Sequence, residues 1–137
     1  YVIMSDGEMD VGTTWESALI ASHHGLNNLV VIIDNNGFQA MGKKHEILNI
    51  EPLKEKWEAF MWEWCFINGH DFDHKSTILN KKNLDWWINK KPIVPHVIIA
   101  NTIKGKGWKR AENNNLYHYL HISDDDYNEA VKELKNA

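Results

Sequence analysis

The sequence predicts an α/β fold, a parallel sheet with helices on both faces. Three observations carry that prediction. The apolar runs at residues 1–4, 29–33 and 96–102 are rich in β-branched residues and do not alternate, as in strands covered on both faces. Segments with helical spacing lie between them. No internal repeat, linker or low-complexity stretch divides the 137 residues, so the chain reads as one domain.

The elements follow in order. Residues 1–4, "YVIM", form the first strand. In "TTWESALIASHHG", Thr13 and Glu16 have capping-box spacing, Trp15, Ala18, Leu19 and Ser22 share a face, and Gly25 is placed as a C-cap. This helix and the strand at 29–33 complete a β-α-β unit. Pro52 opens a second helix with Leu53, Trp57, Phe60 and Met61 along one face, and residues 63–67 make a weaker strand. "NLDWWINKK" is a short helix ending before Pro92, residues 96–102 are a buried strand, and Ser123 caps a terminal helix with acids first and lysines later.

Composition narrows the function classes. With 43% hydrophobic residues and seven Trp the chain can bury a core, and its charge of -4 argues against nucleic acid as the main partner. Four cations in "KGKGWKR" are too few to reverse that. The single cysteine, Cys65, lies among apolar neighbours and reads as a buried structural thiol. No run approaches the roughly 20 apolar residues of a membrane helix, so the expected location is the cytoplasm, with no membrane contact. The chain opens without methionine inside a core-like strand, so residues 1–137 are expected to be a partial domain lacking its N-terminal part.

Two loops carry the chemistry. In a right-handed β-α-β unit the loops after both strands emerge at one edge of the sheet, which brings "SDGE" and "DNNG" together. Ligands of parallel sheets bind at that edge. An Asp6 carboxylate and an Asn36 amide oxygen are hard donors, suited to a cation such as Mg²⁺ that completes its octahedron with phosphate oxygens and water. Gly7, without a side chain, lets backbone approach the phosphates. Each motif alone also reads as an ordinary turn, and Glu16 alone as a cap. His70 and His74 with Asp71 and Asp73 invite a zinc reading, but lack a convincing fourth-ligand pattern, so a polar turn is preferred.

Joined, these residues resemble the thiamine-diphosphate motif of the transketolase family: a G-D-G-E opening and, about thirty residues on, a paired Asn. "INGHDF" resembles that family's G-H-D turn, and "HVIIANTIKGKG" with "ENNNLYHY" resembles its K-G-K-G loop and later histidine. The resemblance implies that thiamine diphosphate and Mg²⁺ or Ca²⁺ are the cofactors, with Asp6, the Asn36 side chain and the Phe38 carbonyl as metal ligands. It implies cofactor binding by Ser5, Asp6, Gly7, Glu8, Asn36, Phe38, Lys104 and His118. Glu16 and His118 are its catalytic candidates, Glu16 through a proton relay near a subunit interface.

The implied activity is transfer of a two-carbon ketol unit from a ketose to an aldose, with sugar phosphates as substrates. Another thiamine-diphosphate enzyme, of the 2-oxo-acid dehydrogenase or 1-deoxyxylulose-phosphate synthase type, is the alternative, and a non-catalytic partner subunit is a third. Three departures stand out: Ser5 replaces a common Gly, Val11 replaces an acid of the relay, and Tyr119 follows His118. The "HY" pattern with "LNIEPLKEKWEAFMWE" is more similar to divided transketolases, made of two half-length chains. The expected partner is therefore a pyrimidine-binding C-terminal subunit in a hetero-oligomer. Some of Trp15, Trp62, Trp64, Trp86, Trp87 and Trp108 are expected to become buried only on association.

Overall fold

The alternation of strands and helices read from the sequence is present in the computed structural model, which describes residues 1–71, 78, 80–90 and 93–135. In chain order the elements are β1 (Val2–Ser5), a 3-10 turn (Asp6–Asp10), α1 (Gly12–His23), β2 (Val30–Asn35), β3 (Phe38–Gln39), β4 (Gly42–Lys43), α2 (Lys44–Ile47), α3 (Leu53–Ala59), β5 (Glu63–Asn68), α4 (Lys81–Lys90), β6 (His96–Asn101), a second 3-10 turn (Asn115–His118) and α5 (Asp124–Leu134). Four strands pair in parallel in the order β1-β2-β6-β5, and β3 and β4 make a small antiparallel ribbon.

Strand order and crossover handedness together fix the layers. The steps from β1 to β2 and from β2 to β5 run one way across the sheet, while the step from β5 to β6 runs back. Right-handed crossovers then put α1 and α3 on one face and α4 on the other. Side-chain alternation agrees. Met4, Val31, Ile33, Val97, Ile99 and Trp64 pack with Ala18, Ala21, Leu53 and Trp57, whereas Val30, Ile98, Cys65 and Ile67 pack with Leu84 and Trp87. Indole hydrogen bonds anchor the first layer: Trp62 Nε1 donates to the Ala18 carbonyl at 2.9 Å and Trp15 Nε1 to the Met9 carbonyl at 2.9 Å. Truncating a buried Trp such as Trp57 would cost about 3–5 kcal/mol.

Several local expectations need correction. Helix α1 starts at Gly12 with Val11 at its cap, so Thr13 and Glu16 form no capping box. The 3-10 turn feeds the helix earlier than the spacing implied, and the box closes eight residues upstream, where Glu8 Oε2 accepts from Ser5 N–H at 2.8 Å and Ser5 Oγ at 3.2 Å. Thr14 Oγ1 instead donates to the Glu8 carbonyl. The buried stripe of α1 is Ala18 and Ala21, and Leu19 is exposed. Gly25 does close the helix: with φ +60 it lets its own N–H reach the Ser22 carbonyl and Leu26 N–H reach Ala21.

Met61 adopts φ 66 just past α3 and faces solvent, leaving the inward place to Trp62. Val2 and Ile3 are exposed, and among the described residues β1 pairs only with β2, at the sheet's edge. Of the six tryptophans expected to await a partner, Trp62, Trp87 and Trp108 are buried already, Trp15 and Trp64 are half-buried, and Trp86 alone is exposed. Ser123 caps α5 as expected, sharing a capping box with Asp126. Pro92, Phe72, Asp73 and His74 lie outside the described residues.

Candidate functional site

All four parallel strands end at one edge, and the loops that leave it hold most of the residues singled out above. Asp6 is the first residue beyond β1 and is 0% exposed. Its Oδ2 accepts the Gly37 N–H at 2.8 Å, which ties the loop after β1 to the loop after β2. Its Oδ1 is sealed from solvent and has no hydrogen-bond partner among the described residues. Burial pushes the carboxyl above its ordinary range, opposed by the Gly37 N–H, the Lys44 charge and the Gly7 N–H and reinforced by Asp34. A buried carboxylate oxygen left unpaired is costly. A cation at Oδ1 would remove that cost.

Asn36 is held from both ends of its amide. Oδ1 accepts the Phe38 N–H at 2.8 Å, and Nδ2 donates to Asp34 Oδ2 at 3.1 Å. Asp34 Oδ1 in turn accepts from the Thr102 hydroxyl, so the β2 and β6 loops share one carboxylate. One rung back, Asn35 Nδ2 donates to Asn101 Oδ1 at 2.7 Å, and Lys44 Nζ donates to Asn35 Oδ1 at 2.7 Å and to Glu51 Oε1 at 2.7 Å. Burial raises the Glu51 carboxyl, but the Lys44 bond and the Leu53 N–H outweigh it and leave the group below its usual range.

The third wall comes from the segment after β6. Lys104 Nζ lies 3.3 Å from His118 Nδ1, so these two distant residues meet. Gly105 makes the approach possible: it has φ +74, and a Cβ there would collide with the Ala111 carbonyl oxygen. His70 Nε2 accepts the Ile103 N–H at 2.7 Å, which places the His70 proton on Nδ1 and fastens the β5 loop beside Lys104. The 3-10 turn carrying His118 is tied to the loop after Phe38, since Asn115 Nδ2 and the Tyr119 hydroxyl both donate to the Ala40 carbonyl.

Asp6, Gly7, Asn36 and Phe38 are thus brought together, and Lys104 meets His118. Ser5 and Glu8 bond to each other and shape the turn that presents Gly7. Glu16 is exposed on α1 and takes no part in the hydrogen bonds that join these loops. Sequence reasoning passed over Asp34, Thr102, Lys44, His70 as a brace, and Gln39. Asp34 was visible in "DNNG", but only the partner loop reveals its role. Among the described residues no three His, Cys, Asp or Glu side chains gather as a metal cluster. A site of one carboxylate, one amide and main-chain oxygen needs no such cluster, and its hard donors fit Mg²⁺ or Ca²⁺.

Comparison with known proteins bears on the family and the fold. Residues 1–136 match the family described as "Transketolase, thiamine diphosphate binding domain". Over 136 residues the chain is 38% identical to an apulose-4-phosphate transketolase subunit of Actinobacillus succinogenes, covering 99% of this chain and 47% of that protein. It is 35% identical to the subunit of the same name from Phocaeicola vulgatus, covering 98% and 46%. It is 34% identical to a 6-deoxy-6-sulfo-D-fructose transketolase subunit of a Clostridium species, covering 98% and 47%. The chain therefore spans about half the length of these curated relatives. Among solved structures, Campylobacter jejuni transketolase superposes with a TM-score of 0.80 at 27% identity, covering 97% of this chain and 20% of that one.

Proposed function

The chain belongs to the transketolase family, through its thiamine diphosphate binding domain, and from that premise we propose that it is the cofactor-holding part of a divided transketolase. The proposed reaction is transfer of a two-carbon ketol unit from a ketose to an aldose. In this reading Asp6, the Asn36 side chain and the Phe38 carbonyl hold Mg²⁺ or Ca²⁺. Gly7 N–H, Lys104 and His118 bind the diphosphate, and Ser5 and Glu8 set the turn on which Gly7 sits. Glu16 belongs to a proton relay at a subunit interface. When bound, thiamine diphosphate supplies the carbon centre that takes up the two-carbon unit. This chain's residues anchor and orient it.

One observation carries the proposal: the sealed, unpaired Asp6 Oδ1, at the edge where parallel sheets bind ligands, in a carboxylate whose other oxygen already has its partner. The partner would be a pyrimidine-binding C-terminal subunit in a cytoplasmic hetero-oligomer, in keeping with relatives named as subunits. The names of those relatives mention a sugar phosphate and a sulfo-sugar. We accordingly take the substrates to be sugars with an anionic group at the end remote from the carbonyl. Calorimetric titration of the assembled enzyme with thiamine diphosphate tests the core of the reading. Binding should require the divalent ion and be lost in Asp6→Ala; metal-independent binding would refute it.

A further inference from the structure

Gln39 is the residue that reaches Gly7 from the facing ribbon. It follows Phe38 in β3, and its Cγ, Cβ and Cδ stand 3.4, 3.7 and 3.8 Å from the place a residue-7 Cβ would occupy. The side chain thus lies along the backbone of Gly7, in the space that the glycine leaves open. Its Nε2 is sealed from solvent and has no hydrogen-bond partner among the described residues. Most buried amide donors in folded proteins are paired. An orphan is a sign of a missing acceptor.

The neighbour's chemistry identifies that acceptor. Asp6 and Gln39 flank Gly7, one with an unpaired anionic oxygen and the other with an unpaired N–H donor. The first calls for a cation and the second for an acceptor. A divalent ion carrying a diphosphate supplies both at once, whereas an anion or a cation alone supplies one. We propose that Gln39 is a cofactor-binding residue whose Nε2 donates to a diphosphate oxygen beside Gly7. The inference rests on the reading that this edge holds a metal diphosphate, and adds a ligand outside the glycine turn and the Lys104 loop. A neutral donor suits the place, because a cation there would compete with the metal for Asp6.

The rival use of Gln39 is structural. Asn115 Oδ1 is also sealed and unpaired, and Asn115 Nδ2 already holds the Ala40 carbonyl next door. The two roles separate experimentally. In the full-length chain in its natural assembly, Gln39→Met keeps the length of the side chain and deletes the donor. Its dissociation constants for thiamine diphosphate and for Mg²⁺ with inorganic pyrophosphate, by calorimetry, should rise about 10- to 100-fold, the loss of one hydrogen bond to a charged group. The melting temperature of the cofactor-free protein should hold or rise, since an orphan donor has been removed. Gln39→Glu should bind more weakly still. Unchanged affinity in Gln39→Met, with or without a lower melting temperature, overturns the inference. Asp6→Asn measured alongside separates the failures: if it too binds as the natural protein does, the metal-diphosphate reading falls, and if it alone is defective, only the role of Gln39 falls.

Discussion

Asp6→Asn is the substitution that most sharply separates a ligand from a structural residue, because it preserves shape and removes charge. The structure sets the expected magnitudes on both sides. The new amide oxygen can still accept the Gly37 N–H now held at 2.8 Å, so the tie between the two loops survives. At the second position an unpaired anionic oxygen is replaced by an amide group. The carboxyl of the metal-free protein stands above its usual value chiefly because burial disfavours the charge. The sign follows: stability from this group is fully present below the ordinary carboxylate value and is lost as pH rises through the raised one. At pH 7 the metal-free variant should therefore be as stable as the natural protein, or more so.

Metal binding should move the other way. Removing one partner of a buried charge pair costs about 3–5 kcal/mol, which corresponds to a Mg²⁺ dissociation constant raised by roughly two to nearly four decades. Two assays read these effects together: calorimetric titration with Mg²⁺ and thiamine diphosphate, and melting with and without the pair. At a hundredfold excess over the dissociation constant the natural protein should gain about 2.7 kcal/mol, and Asp6→Asn almost none. A variant that binds normally, or one that melts far lower without metal, refutes the argument.

Three further outcomes are expected. Asp34→Ala frees the Thr102 hydroxyl and the Asn36 amide, so metal affinity should fall about 10- to 100-fold as for other residues that orient ligands, measured by the same titration. Lys104→Ala and His118→Ala should weaken thiamine diphosphate most at low salt and keep the metal requirement, since exposed charges are screened; salt-independent loss with a lower melting temperature would mark them as structural. Burial, with Glu63 close by, pushes the Cys65 thiol up to about 11 from an ordinary 9.0, so alkylation of the native protein at pH 8 should be slow and should accelerate on unfolding. Stability contributed at Cys65 is present below the ordinary value and lost as pH rises towards 11. Cys65→Ala should flatten that alkaline decline in melting temperature.

How far the sequence carried the fold depends on what each feature needs. Strand positions were legible because burial on two faces demands uninterrupted apolar runs, and the elements at 30–35 and 96–101 fall within a residue or two of expectation. Asp6 and Asn36 were legible because both lie where an apolar strand ends. The start of α1 was misread because two Thr-x-x-Glu or Ser-x-x-Glu patterns stand close together, at Ser5 to Glu8 and Thr13 to Glu16, and spacing alone does not say which one closes. Asp34 and Gln39 escaped notice for another reason: their partners, Thr102 and the Gly7 backbone, lie 68 and 32 positions away. No local period reports on such pairs.

Those pairings depend on the order of the strands. Had the chain returned from α4 to the far side of β5, β2 and β6 would not be neighbours and Asp34 could not accept from Thr102. The observed order β1-β2-β6-β5 sets the loop carrying Asp6 beside the loop carrying Asn36, and that loop beside the one leading to Lys104. Three segments distant in sequence are thereby aligned at a single edge, where short bonds join Gly37 to Asp6 and Thr102 to Asp34, and Ile103 to His70 adds the loop after β5. These bonds sit at the end of a sheet whose central strand is sealed, with Val97, Ile98 and Ile99 all fully buried. A substitution in that strand, Ile98→Ala for instance, should cost about 2–5 kcal/mol of stability through its cavity. It should spare cofactor affinity in the fraction that stays folded. Loss of affinity out of proportion to the drop in melting temperature would show instead that the packing of the sheet, and not the bonds among the loops, sets the geometry.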